Sequence, residues 1–318
     1  MKLCMMLRPD PEATWALAKQ AGVDYAVTNP SRLPGGEPLS YGSLSKLKAS
    51  FAEHGLDLIV LEGDPFPMDR IKLGLPGRDE DIGRYCELLQ AMGRLDIGVM
   101  CYNFMAQIGW FRTSTAVRTR GGALATSFDY EQVKNAPLTP AGVVEEERLW
   151  DNLAYFLERV LPAAEAAGVR MALHPDDPPV SPLRGVGRIL TSPAAFRRAL
   201  SLFPSRCHGV SFCQGTFATM EVDIYETIRE FGRRGEIFFV HFRDVRGTAV
   251  RFEETFHDAG QTDMLRAMRC YVEVGFDGPI RPDHAPTMEG ESNDRPGYAA
   301  IGRIFAIGYM KGLLASLE

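Results

Sequence analysis

Four side chains able to bind a metal ion each close a short apolar run. They are His174 after Met171-Ala-Leu, Cys213 after Val210-Ser-Phe, His241 after Phe238-Phe-Val, and Asp283 after Ile280-Arg-Pro. Imidazole, thiolate and carboxylate all suit a first-row divalent cation. The four lie 39, 28 and 42 residues apart along the chain, too far for a local zinc motif. A strand, its loop, the following helix and the next strand consume about that much sequence. A parallel barrel gathers its strand ends on one face, where catalytic residues collect. Singly, each residue has an ordinary explanation: a hydrogen-bonded strand-end histidine, a core cysteine, a helix-capping aspartate. Four at successive strand ends point to a metal centre.

The elements that must position them follow from hydrophobic patterning. Strands are expected at Lys2–Leu7, Asp24–Thr28, Leu56–Leu61, Ile97–Tyr102, Val169–His174, Gly209–Phe212, Ile237–His241 and Pro279–Pro282. Several are continuous apolar runs, the pattern of parallel strands covered on both faces. Helical patterns alternate with them. One is Ala141–Ala167, with Leu149, Leu153, Phe156 and Val160 at helical spacing. Another is Ser192–Leu202, which opens on a Ser-Pro cap. Eight strands alternating with about eight helices predict a (β/α)8 TIM barrel of one domain over residues 1–318. A doubly wound sheet is the runner-up, but no Gly-rich dinucleotide turn follows the first strand. Two connections, 103–140 and 242–262, are long enough to read as loops over the active-site face.

Composition removes other classes. The chain has 318 residues, 41 acidic against 35 basic, with a formal charge of -6. That balance argues against a nucleic-acid partner. No apolar run approaches the roughly 20 residues that span a bilayer, so no membrane partner is expected. The opening Met1–Leu7 run reads as a buried strand rather than a signal peptide. Six cysteines without paired spacing suggest free thiols in a reducing, cytoplasmic setting.

More polar groups cluster at the same strand ends: Glu62, Asn103, Asp176, Asp177, Arg243 and Arg281. Arginine near a metal suggests an anionic substrate, because its fork matches a carboxylate. His284 would point to the other side of its strand from Asp283 and reads as a group orienting a ligand. His257 lies in the second long loop and reads either as a substrate contact or as an ordinary surface histidine.

These segments resemble the mannonate dehydratase family. The likeness is carried by His174-Pro-Asp-Asp-Pro-Pro179, Ser211-Phe-Cys-Gln-Gly215, His241-Phe-Arg-Asp-Val-Arg246, Gly275-Phe-Asp-Gly-Pro-Ile-Arg-Pro-Asp-His284 and Pro296-Gly-Tyr298. Upstream, Ile71-Lys-Leu-Gly-Leu-Pro-Gly-Arg-Asp-Glu80 and Cys101-Tyr-Asn-Phe-Met105 match as well. The resemblance implies a xylose-isomerase-like barrel, a Mn2+-type ion on His174, Cys213, His241 and Asp283, and a homodimer. It implies loss of water from D-mannonate to give 2-keto-3-deoxy-D-gluconate. It also gives Tyr298 a part in proton transfer, so Tyr298 and Asp283 are the expected catalytic pair. Arg112 and Arg243 are candidates to hold the substrate carboxylate, and Asn103 and His257 to bind its hydroxyls. The chain departs from the family pattern at Ala285, Gln214 and Gly109-Trp-Phe-Arg-Thr113, where substrate would be read.

From the donor types alone Fe2+, Co2+ and Zn2+ stay open beside Mn2+. A metal-dependent isomerase, epimerase or lyase on another polyol, sugar acid or glycoside is the rival enzyme. A sugar-acid-binding sensor is the non-enzymatic alternative.

Overall fold

The computed structural model describes residues 1–33 and 38–317. Eight parallel strands close into a barrel: β1 (Lys2–Met6), β2 (Tyr25–Thr28), β3 (Asp57–Glu62), β4 (Val99–Tyr102), β7 (Arg170–Leu173), β8 (His208–Cys213), β9 (Ile237–Phe242) and β12 (Pro279–Pro282). Their order around the barrel is β1-β12-β9-β8-β7-β4-β3-β2. Every residue of β4, β8, β9 and β12 is buried. That explains their unbroken apolar runs, since helices cover the outside and side chains fill the bore. The expected strands fall within a residue or two of these positions.

Helices lie between the strands for the reasons their sequences suggest. Residues Glu146–Ala167 form a helix that buries Leu149, Leu153, Phe156 and Val160 on one stripe. It stops at Gly168, whose φ of +67° is a left-handed conformation that glycine adopts at little cost. Its start is later than the pattern suggested, because Thr139–Val144 turns and bridges to Val186 instead. Ser192 caps helix Pro193–Leu202 by accepting the Ala195 N–H at 3.2 Å. Among the described residues no helix is long and apolar enough to cross a membrane, and all six cysteines are free thiols.

The two long connections are not loops. They supply β5 (Ser114–Arg118), β6 (Leu124–Asp129), β10 (Val245–Thr248) and β11 (Arg251–Glu254), which make one antiparallel sheet in the order β10-β11-β6-β5. Phe128 and Phe252 pair across β6 and β11 with ring centroids 5.9 Å apart. With Ile108, Leu183 and Val245 they form a separate small core. Along β11 burial alternates, so Phe252 and Glu254 turn inward while Arg251 and Glu253 face water. That alternation brings a carboxylate from the added sheet to the barrel rim.

Register sets the site. Cys213 pairs with His241, and His241 with Arg281. On β8 the register slips by one residue between Val210 and Ser211. Without that irregularity Cys213 would stand beside Val240, whose side chain points to the opposite face. Phe239 lies two residues below His241 on the same face, its ring 4.7 Å from the imidazole and edge-on to it. The floor beneath the site is therefore apolar.

Candidate active site and metal centre

Single ligand atoms of His174, Cys213 and His241 all lie within 4.8 Å of one another. Asp283 Oδ2 joins them, 3.9 Å from Cys213 Sγ and 3.8 Å from His241 Nδ1. Three of the four residues expected as ligands thus converge at the C-terminal ends of β7, β8 and β9, and Asp283, at the end of β12, stands beside two of them.

The donors fit a cation. His174 Nδ1 donates to the Pro175 carbonyl at 2.7 Å, which leaves the Nε2 lone pair free. Burial holds this imidazole below its ordinary range and keeps it neutral. His241 is fully buried, yet neither ring nitrogen has a hydrogen-bond partner among the described residues. An orphaned buried nitrogen costs about 1–3 kcal/mol, and a metal ion would satisfy it. Glu62 stands 3.5 Å from His241 Nε2, the place of a carboxylate that orients a metal-bound imidazole.

Glu62, Cys101 and His241 form a second close trio. It suits a cation poorly. Both Glu62 oxygens accept from Arg281, at 3.0 and 2.6 Å, and burial pushes the Cys101 thiol well above its usual range.

Behind the ligands lies a buried network of charges. Arg243 sets its Nε 2.9 Å from Asp283 Oδ2 and 3.4 Å from Cys213 Sγ. Its other nitrogens donate to Asp177 at 2.7 Å, Thr216 at 2.8 Å and Glu254 at 3.1 Å. Arg112 donates to both Asp177 oxygens, at 2.6 and 3.0 Å, and to Glu254. Burial alone would raise the Glu254 carboxyl, but His284, Arg112 and Arg243 together hold it down at about 2. Asp177 is held well below the carboxylate range against the same burial penalty, chiefly by Arg112 and Arg243.

This geometry revises three expected substrate contacts. Arg112 and Arg243 have fully buried guanidinium groups already spent on carboxylates, and neither lines the cleft. His257 is also fully buried away from the cleft, held neutral by burial at about 4. None of the three lines the cleft. Asn103 does line the cleft, its Oδ1 accepting from Lys72 Nζ at 2.9 Å.

Above the ligands opens a cleft of about 1040 Å³, with His174, His241, Asp283, His284 and Tyr298 on its floor. Tyr298 donates its hydroxyl to Asp283 Oδ1 at 3.1 Å. Burial, then the neighbouring Asp283 charge, pushes this phenol well above its usual range. Asp283 is held far below its own range, because the surrounding positive charge, Arg281 foremost, outweighs burial. His284, expected as a ligand-orienting group, lines the cleft itself. Its Nδ1 meets Glu254 Oε1 at 2.8 Å, and its ring packs between Trp110 and Tyr298 at 5.1 and 5.0 Å. Glu254 was missed in the sequence. Its one signal is an acidic residue at an inward position of a short alternating strand.

Comparison with known proteins adds ancestry to this geometry. A family model described as D-mannonate dehydratase (UxuA) matches residues 8–142 and 138–318. Mannonate dehydratase 2 of Halalkalibacterium halodurans is 36% identical over 295 residues, covering 84% of each chain. The mannonate dehydratase of Thermotoga petrophila is 34% identical over 332 aligned positions, covering 93% of this chain and 91% of its own. The crystal structure of mannonate dehydratase from Streptococcus suis serotype 2 superposes with a TM-score of 0.90 at 31% identity, covering 99% of this chain and 93% of that one. A xylose isomerase domain protein from Planctomyces limnophilus, 11% identical with a TM-score of 0.64, shares the fold alone.

Proposed function

The chain belongs to the mannonate dehydratase family, and on that footing we propose that it removes water from D-mannonate to give 2-keto-3-deoxy-D-gluconate at the cleft floor. One observation carries the reading. Donors of His174, Cys213 and His241 converge, both nitrogens of the buried His241 ring unsatisfied among the described residues, beside a tyrosine that keeps its proton.

His174, Cys213, His241 and Asp283 would hold one divalent ion, Mn2+ in this reading, with Fe2+, Co2+ and Zn2+ as alternatives. Such an ion, when bound, supplies a Lewis acid for the negative charge that develops at C2 and the carboxylate. Arg243 holds the Cys213 and Asp283 donors in place, and Glu62 with Arg281 steadies His241 and Asp283 from the other side.

Removal of the C2 proton needs a base at the cleft wall. His284 lines that wall, its Nδ1 against Glu254 Oε1 at 2.8 Å and its Nε2 3.7 Å from Asp283 Oδ1, and is the side chain placed to accept the proton. Tyr298 retains its proton and is suited to give it to the departing 3-hydroxyl, so that water leaves. The enol that remains tautomerises to the 2-keto acid. Asp283 is too well stabilised as a carboxylate to act as a base and serves as a ligand and as the Tyr298 acceptor. Asn103 is placed to bind a substrate hydroxyl.

A panel of aldonates assayed for 2-keto-3-deoxy acid with several divalent metals tests the proposal. D-mannonate turnover supports it. Binding without turnover across the panel would favour a sensor, and interconversion without loss of water an isomerase or epimerase.

A further inference from the structure

Four arginines near the ligands, Arg112, Arg188, Arg243 and Arg281, are buried and committed. Arg112, Arg243 and Arg281 are bound to carboxylates as described above. Arg188 holds the carbonyls of Ile108 and Gly109 at 2.6 and 3.2 Å and faces Asp176 at 3.5 Å. Turning any of the three ion-paired guanidiniums toward a substrate would break a buried pair and leave a carboxylate uncompensated. A sugar acid still carries a carboxylate that needs a partner.

Two arginines on the cleft lip are not committed in this way. Arg8 lines the cleft and has no acidic partner among the described residues. Arg295 also lines it, and its one ion pair among the described residues is an exposed contact with Glu12 at 3.4 Å. Exposed pairs of this kind contribute little. Both side chains hang from fixed backbone. The Arg8 carbonyl accepts the Trp15 indole N–H at 3.1 Å, between buried Leu7 and Pro9. The Arg295 carbonyl accepts the Tyr298 N–H at 2.9 Å, across Gly297 with its φ of +80°.

The cleft is also polarised. Arg8 follows β1 and Arg295 follows β12, adjacent strands of the barrel. Asp64, Asp69 and Asn103 line the sector after β3 and β4, and β4 stands across the barrel from β12. The first sector carries the two lip arginines; in the second, Asp64 and the Asn103 amide oxygen already take Lys72 Nζ at 2.6 and 2.9 Å, and Asp69 adds a further carboxylate.

We propose that Arg8 and Arg295 form the carboxylate-reading lip of the site, so that a sugar acid lies with its acid end toward β1 and β12 and its hydroxyl tail along Asp64, Asp69 and Asn103. This rests on the sugar-acid reading above and sets the substrate's direction within it. Neutral polyols of the same length would lack the lip contact.

Calorimetric binding of D-mannonate and of neutral D-mannitol, on Mn2+-loaded and on chelator-stripped protein, tests it. In Arg8→Met/Arg295→Met, D-mannonate affinity should fall at least about tenfold, as expected for a lost charge-assisted contact. D-mannitol affinity should hold, and Arg8→Lys/Arg295→Lys should recover part of the loss. Unchanged D-mannonate affinity, or equal losses for both ligands, would overturn the lip. The two readings fail differently. If the dehydratase reading fails, the charge-selective loss persists without any keto acid being formed. If the lip fails, the double variant turns over D-mannonate with wild-type KM.

Discussion

Glu254 and His284 meet across 2.8 Å, yet one comes from the added antiparallel sheet and the other from the rim of the barrel. The carboxylate holds the Nδ1 side of the ring and so orients the imidazole at the cleft wall. The added sheet is therefore part of the proposed proton-transfer machinery, not a cover over it. Glu254→Gln should lower kcat by about 100-fold or more, the range of a lost acid–base group, while elemental analysis finds the metal content retained. Wild-type kcat in the variant would remove His284 from the chemistry.

Tyr298 offers its proton to Asp283 and sits too high on the pH scale to act as a ready base. Tyr298→Phe should reduce kcat by about 10²–10⁴-fold with KM changed far less. Stopped exchange of the C2 proton with solvent deuterium would show that Tyr298 is the base. Persisting exchange without loss of water would show that it is the acid, as assigned.

The unsatisfied nitrogens of His241 predict a metal-linked stability. Adding Mn2+ should raise the Tm of stripped protein, by an amount equivalent to about 2.7 kcal/mol when the ion is at 100 times its Kd. In His241→Ala the rise should vanish, and bound metal should fall to near zero. A full rise in that variant would place the ion elsewhere.

At the start of β8, His208 is buried against the Tyr102 hydroxyl at 2.8 Å, and burial lowers it to about 4. Its unfolded value is near ~6.5. Above that value neither state binds the proton, and the group has no effect. As pH falls from about 6.5 toward 4 the unfolded chain gains a proton that the folded one refuses, so stability drops, on the order of 2 kcal/mol by pH 5. His257, also lowered to about 4, adds a similar loss. Urea midpoints at pH 7 and pH 5 should therefore differ less in His208→Gln than in wild type. Equal differences would mean that His208 titrates normally.

Much of the barrel was legible because its strands announce themselves. Parallel strands buried on both faces read as apolar runs, and polar residues at their C-terminal ends stand out against them. His174, Cys213, His241 and Asp283 were visible for that reason. The added sheet was not, because β5 is mostly exposed Ser-Thr-Ala-Val-Arg and β10 and β11 are four residues each. The partners of Arg112 were hidden by distance along the chain. It meets Asp177 and Glu254 from positions 65 and 142 residues away, and no local pattern distinguishes a guanidinium bound to protein carboxylates from one awaiting a substrate. The slip in β8 that brings Cys213 beside His241 likewise leaves no mark in Val210-Ser-Phe.

One ion held by His174, Cys213, His241 and Asp283 would make this protein a dehydratase. Titrating stripped protein with Mn2+ while following keto acid from D-mannonate tests this directly. Activity should rise linearly and break at one ion per chain. Folded protein that binds one Mn2+ per chain and forms no keto acid from D-mannonate would contradict it.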